Sequence, residues 1–175
     1  MDPIQGYVAQ AQSTADFIAR HPHPFLLKRS RDRGRESEDP GAKQRLAFQT
    51  EQLQIDAQGL FMDEGAFAHG YWVWPVKKRA GNPFPDRIVL GRATNCDVVV
   101  RLSYVSKTHA HLEKTETGWQ IADAGSSNGT ELDGVPLTPR HPYELSLGQK
   151  LRFGALELAF LDAASLAHVI RTEIA

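Results

Sequence analysis

The chain has 175 residues, 41% of them apolar and 23% charged, a globular composition with room for one medium domain and a smaller attachment. Its formal net charge of −1 argues against attraction of nucleic acid by the molecule as a whole. A single cysteine, Cys96, excludes an internal disulfide framework and a cysteine-based zinc site. No apolar run reaches the roughly 18 residues of a membrane span. The N-terminus also lacks a charged start followed by a long apolar stretch, so no signal peptide is expected and the cytoplasm is the expected compartment.

Asp2-Pro3 reads as a helix start, with Asp2 at the N-cap and Pro3 in the first helical position. Ile4, Tyr7, Val8, Ala11, Ala15 and Ile18 then share one face at helical spacing, which predicts a helix over about residues 3–20. His21-Pro22-His23-Pro24 ends it, because residues before proline avoid the helical region. Phe25-Leu26-Leu27 suits the start of a strand. Residues 28–45 are dense in charge and carry Gly34, Pro40 and Gly41, as an exposed charged loop would. Its first eight residues hold five basic side chains and one acidic, for which a solvated loop is favoured over a nucleic-acid contact. Residues 45–55 alternate only in part and 58–70 are irregular. Residues 1–69 are thus expected to form a mixed α/irregular extension.

From Gly70 the pattern becomes β. Tyr71 to Val76 is aromatic and β-branched, with Trp72 and Trp74 on one side and Pro75 suggesting an edge or bulge. Further short strands are predicted over 88–90, 97–102, 109–114, 119–122, 130–132, 143–147, 150–153 and 156–161, with turn signals at Thr117-Gly118 and Asp133-Gly134. Turns every 8–12 residues or so indicate a β-sandwich or barrel. Asp162 can cap a last helix over 163–175, with Ala163, Leu166, Ala167, Ile170 and Ile174 on its apolar face.

Three polar pieces sit on turns between these strands: Gly91-Arg92, Ser106-Lys107-Thr108-His109 and Ser126-Ser127-Asn128-Gly129-Thr130. Turns let side chains and backbone N–H groups converge on an anion. Arg92 offers a planar fork of donors that a lysine does not reproduce, Lys107 adds charge, and Ser106 and Ser127 supply neutral donors. No nucleophile stands beside a base, and His109 and His111, two apart on one strand face, lack a third ligand. Binding without catalysis, metal or cofactor is therefore expected. Cys96, in the loop after Arg92, reads as a small buried filler.

In this order and spacing the pieces resemble the forkhead-associated (FHA) domain. "RIVLGRATNCDVVV" is similar to that family's strand–Gly-Arg–loop–strand segment, "VSKTHAHLEK" to its Ser-x-x-His segment, "IADAGSSNGTELDGVPL" to its Asp–x–x–Ser–x–Asn-Gly-Thr segment, and "LSLGQKLRFGALELAF" to its closing strands. The resemblance covers about residues 70–162. It implies a mainly β fold, an eleven-strand β-sandwich, here with the N-terminal extension and a C-terminal helix over 163–175.

The resemblance further implies that loops at one end read phosphothreonine. Arg92, Ser106, Lys107 and Ser127 would face the phosphate, and Asn128 would hold the peptide backbone. Gly91, His109, Gly129 and Thr130 would shape the loops. The implied partner is a phosphothreonine-containing protein in a Ser/Thr kinase pathway, with no membrane and no nucleic acid involved. The alternative is a phosphate-independent interaction or oligomerisation scaffold that uses the extension and the aromatic strand.

Overall fold

The computed structural model of the protein describes residues 2–29 and 70–174. Among these residues, twelve strands form two facing sheets. The larger sheet runs in the order β1 (Asp2–Pro3), β3 (Trp72–Pro75), β2 (Phe25–Lys28), β12 (Leu156–Leu161), β11 (Lys150–Phe153), β8 (Thr130–Leu132), β9 (Val135–Pro136). The smaller runs β10 (Tyr143–Leu145), β7 (Trp119–Asp123), β6 (Ala110–Lys114), β4 (Ile88–Gly91), β5 (Val98–Val99). Every pairing is antiparallel except β4 with β5. The protein is thus mainly β, a sandwich with a C-terminal helix, as expected.

Strand alternation explains which side chains meet. Leu26, Trp74, Leu112, Ile121, Leu158 and Phe160 point between the sheets and form one buried core. Their neighbours Phe25, Leu27, Val73, Ala159 and Leu161 point to the other side of the larger sheet, where helices cover them. A sheet buried on both faces needs unbroken apolar runs, and "FLL" and "LAFL" supply them. Trp74 is 1% exposed, and its indole N–H donates to the Val99 carbonyl at 3.2 Å. Trp72 packs against the same core. Trp74 therefore offers no docking surface of the kind the phosphate-independent alternative requires, and Trp72 is half-buried.

The N-terminal segment departs from expectation in two ways. It is not one helix over 3–20. Asp2 and Pro3 pair with Val73 and Trp72 as β1, and α1 (Gln5–Val8), a 3-10 turn over Ala9–Gln12 and α2 (Thr14–Arg20) follow. The break is at Ser13, which is extended (φ −111°, ψ 120°) and whose hydroxyl caps α2 by accepting from the Asp16 N–H at 3.3 Å. That break resets the helical phase. Ile4, Tyr7 and Ala11 stay buried, but Phe17 turns inward in place of Ile18, which is 43% exposed.

The second departure is that the segment is not outside the sandwich. β2 lies in the interior of the larger sheet, pairing with β12 through Phe25↔Leu161 and with β3 through Phe25↔Pro75. A three-residue apolar run after two prolines gave a strand but no hint of its place. Of the charged loop expected over 28–45, Lys28 belongs to β2; residues 30–45, like the readings for 45–55 and 58–69, lie outside the described residues.

Helix α3 (Ala163–Val169) begins where Asp162 accepts from the Ser165 N–H at 2.8 Å, and it continues as a π-helical turn over Ile170–Ile174. Leu166, Ala167 and Ile170 are fully buried against the N-terminal helices and the sheet.

Candidate anion-binding site

Three loops, 92–97, 103–109 and 124–129, are tied to one another by hydrogen bonds. The first close approach explains Gly91. A Cβ there would lie 2.2 Å from the Lys107 carbonyl oxygen, so no other residue fits without moving a backbone. Immediately afterwards the Arg92 N–H donates to the Ser106 carbonyl (2.9 Å) and the Ala93 N–H to the Lys107 carbonyl (3.1 Å). The Arg92 side chain follows the same path, its Nε donating to the Val105 carbonyl at 3.1 Å. The guanidinium is therefore held along the second loop.

The first loop doubles back so tightly that β5 returns parallel to β4, with Gly91 opposite Val99. Asp97 makes this possible. Its carboxylate is buried and accepts from the N–H groups of Val89 and Arg79 (2.8 Å each), from Asn82 Nδ2 (2.8 Å) and from Lys78 Nζ (3.2 Å). Cys96 fills the space beneath, its thiol donating to the Lys107 carbonyl at 3.2 Å, and burial pushes that thiol's pKa up.

His109 brackets the second loop to the third. It is fully buried, and its Nδ1 accepts the Ser106 N–H at 3.0 Å. The proton is thereby left on Nε2, which donates to the Gly129 carbonyl at 3.1 Å. Burial lowers its pKa, against the opposing pull of the Gly129 carbonyl and the Asp123 charge, so the ring is neutral.

The third loop is wound around Asp123. One carboxylate oxygen accepts from the N–H groups of Gly125 (2.7 Å) and Ser126 (2.9 Å), the other from the hydroxyls of Ser126 and Thr130 (2.6 Å each). Burial raises this carboxyl's pKa, but the bonds from Ser126, Thr130 and Gly125 prevail and hold it below the ordinary value. Gly129 takes φ +75°, a left-handed turn that brings its carbonyl to His109.

So arranged, the Ser127 N–H donates to the Ser106 hydroxyl at 3.0 Å, with the two hydroxyls 3.5 Å apart. Asn128 Nδ2 donates to the Tyr104 carbonyl at 2.8 Å. The loops thus gather Arg92, Ser106, Ser127 and Asn128, with Lys107 at the rim. Its carbonyl is anchored while its side chain is exposed. Thr130 is buried and its hydroxyl is given to Asp123. A guanidinium, an ammonium and two hydroxyls carried on these loops are the donor types suited to a multiply charged oxyanion.

Two organising residues were given no role of their own in the sequence reading. Asp123 had a local signal, since an aspartate two and three residues before Gly-Ser is the pattern of a side chain accepting from its own turn. Asp97 had none, because its donors come from residues 78–82 and from β4.

Residues 88–154 match the family model for the FHA domain. The chain carries an FHA domain. The FHA domain-containing protein FhaB of Mycolicibacterium smegmatis is 33% identical over 98 residues, 56% of this chain and 56% of that protein. FhaB of Mycobacterium tuberculosis (strain H37Rv) is 34% identical over 73 residues, 41% of this chain and 46% of the relative. The chain thus spans about half the length of the curated relatives it matches. Among solved structures, Mycobacterium tuberculosis EmbR in complex with a low-affinity phosphopeptide has 25% identity and a TM-score of 0.44, covering 52% of this chain and 22% of that one. FHA domains are phosphopeptide-binding interaction modules. Among the described residues, no helix is long and apolar enough to cross a membrane.

Proposed function

We propose that the loop end of this FHA domain binds a phosphothreonine-containing segment of a partner protein in Ser/Thr kinase signalling in the cytoplasm. The Ser127–Ser106 contact carries this reading, because it closes two loops into one donor surface beside the anchored Arg92. Arg92 pairs with the phosphoryl oxygens, Ser106 and Ser127 donate to them, Lys107 contributes charge from the rim, and Asn128 holds the peptide backbone. Gly91, His109, Gly129 and Thr130 keep the loops in shape. The working unit is residues 70–162 together with β2 and the helices that cover it.

A phosphothreonine carries about −1.5 to −2 charges and three acceptor oxygens. Each charge-assisted hydrogen bond contributes about 1.5–3 kcal/mol. Three or four of them, less the cost of association, give an affinity of roughly micromolar, suited to reversible binding. The protein acts by binding and performs no covalent chemistry.

The test is titration of the whole chain with a phosphothreonine peptide library, in parallel with Arg92→Ala. Wild type is expected to bind phosphorylated peptides and not their unphosphorylated forms, and Arg92→Ala is expected to lose that binding while melting at the same temperature. Equal binding of unphosphorylated peptides, or undiminished binding by Arg92→Ala, refutes the reading.

A further inference from the structure

Beside the loop that carries Arg92 is a cavity of about 240 Å³ lined by Arg79, Thr94, Val99 and Arg101. Its position follows from the parallel pairing of β4 with β5. Gly91 is opposite Val99, so Arg101 leaves β5 at the end where Arg92 leaves β4. Val98, Val100 and Leu102 are buried in the core, which leaves the alternate residues Val99 and Arg101 for the outer side. Thr94 stands two positions after Arg92, a span of at most about 7 Å.

The two arginines are in different states. Arg79 is pinned, its Nη1 donating to the carbonyls of Thr94 (3.2 Å) and Cys96 (3.1 Å). A guanidinium has five N–H donors, so donors remain after those two bonds. Arg101 is half-buried and has no hydrogen bond or ion pair among the described residues. The nearby acid, Asp97, does not neutralise the pair, since its oxygens already accept four bonds from other groups. Two positive charges therefore share one small cavity, with a hydroxyl and an apolar wall, and one of them is partly desolvated without a counter-charge among the described residues.

We infer that Arg79 and Arg101 form a second anion subsite that takes an acidic side chain, or a second phosphorylated residue, of the same peptide whose phosphothreonine Arg92 holds. This rests on the phosphothreonine reading and goes beyond it by assigning a preference for acidic ligands. The occupant is one to three residues from the phosphothreonine, as the roughly 3.3–3.6 Å reach per residue requires. Arg79 supplies a fixed donor and Arg101 closes on the anion. The preference weakens with salt, because the cavity is open to solvent.

The experiment is a fluorescence polarisation titration of the whole chain with a singly phosphorylated peptide of neutral flanks. Companion peptides carry glutamate, or a second phosphothreonine, at each flanking position in turn. At the favoured position wild type is expected to bind the glutamate peptide about five- to tenfold tighter than the neutral one, as one charge-assisted hydrogen bond allows. The doubly phosphorylated peptide should gain at least as much. Arg101→Gln should erase that gain and leave the neutral peptide within about twofold of wild type. Arg101→Lys, expected to keep part of the gain, guards against misfolding of the first variant, as does its melting curve.

No gain at any position in wild type, or a full gain retained in Arg101→Gln, overturns the subsite while phosphopeptide binding stands. Failure of the neutral phosphopeptide to bind, or its indifference to Arg92→Ala, overturns the phosphothreonine reading and the subsite with it.

Discussion

The Ser127 N–H donates to the Ser106 hydroxyl at 3.0 Å, joining two loops whose residues are 21 positions apart. With its oxygen occupied in this way, the Ser106 hydroxyl can turn its proton outward to a ligand at little cost. Ser106→Ala should therefore lower phosphopeptide affinity about tenfold or more, the share of one hydrogen bond to a charged group. Ser106→Thr should retain most of the binding. Isothermal titration of both variants decides the matter, and equal losses in the two would show that the hydroxyl is not what the ligand uses.

Gly91→Ala should damage the fold and not the ligand contacts. The added methyl meets the Lys107 carbonyl oxygen at 2.2 Å, a backbone atom that cannot rotate away. Overpacking of this kind costs about 1–3 kcal/mol and sometimes more, and the upper end is expected here. Urea unfolding measures it. A midpoint unchanged from wild type would mean that the two loops separate more easily than their paired hydrogen bonds suggest.

Asp123→Asn keeps the size of the side chain but removes the charge and one of its two acceptors. Two donors lose their partner, at an expected cost of about 2–3 kcal/mol. Phosphopeptide affinity should fall as well, since the loop bearing Ser127 and Asn128 is wound on this carboxylate. Because its folded-state pKa is lowered, the contribution of Asp123 is present above the ordinary value of 3.8 and lost as pH falls through the folded value. Thermal melting of the variant should therefore be flatter than wild type below about pH 4.

Histidines govern a milder acid range. The pKa of His109 is lowered from 6.5, with burial the leading cause, so the unfolded chain takes up a proton that the folded protein refuses. Stability is then complete above pH 6.5 and drains as pH falls below it, by at most about 1.4 kcal/mol per pH unit for each such group. His21, His23 and His111 are lowered too, again led by burial. The melting temperature should drop between about pH 7 and pH 5. A His109→Gln variant, less stable at neutral pH, should drop by less over the same interval. An identical pH slope in the two proteins would remove His109 from this account.

Cys96 should be inert while the protein is folded. It is 2% exposed, its thiol is bonded to the Lys107 carbonyl, and burial disfavours the thiolate that reagents attack. Labelling by a chromogenic disulfide reagent should follow the rate of unfolding and accelerate in urea to that of a free thiol. Fast labelling under native conditions would contradict the packing described.

What the sequence disclosed was what is encoded locally. The sheet strands alternate with a period of two, the turns carry Gly and Asp at fixed offsets, and the polar loops keep their spacing; each is visible within a dozen residues. The course of residues 2–20 was misread because a single extended residue, Ser13, shifts the phase of everything after it, and serine is as compatible with a helix interior as with a cap. The place of Phe25–Lys28 was invisible because its partners, Leu161 and Pro75, are remote in the chain. Asp97 was hidden for the same reason. Its role exists only once residues 78–82, β4 and the first loop have come together. His109 had a distinctive position in the sequence, but its tautomer is set by the Ser106 N–H, and its Gly129 partner lies 20 residues on; strand alternation reveals neither.

The interior position of β2 bears on how the molecule can be divided. A fragment limited to residues 88–154 would lack β1, β2, β3 and β12, and with them four adjacent members of the larger sheet. A fragment beginning at residue 70 would keep β3 and β12 but lose the strand between them. Each would then present a raw edge of unpaired N–H and carbonyl groups, and in the second Trp74 and Phe160 would also be stripped of the Leu26 between them. Such edges are templates for pairing with other chains, so shortened forms should precipitate or swap strands where the longer chain stays monodisperse.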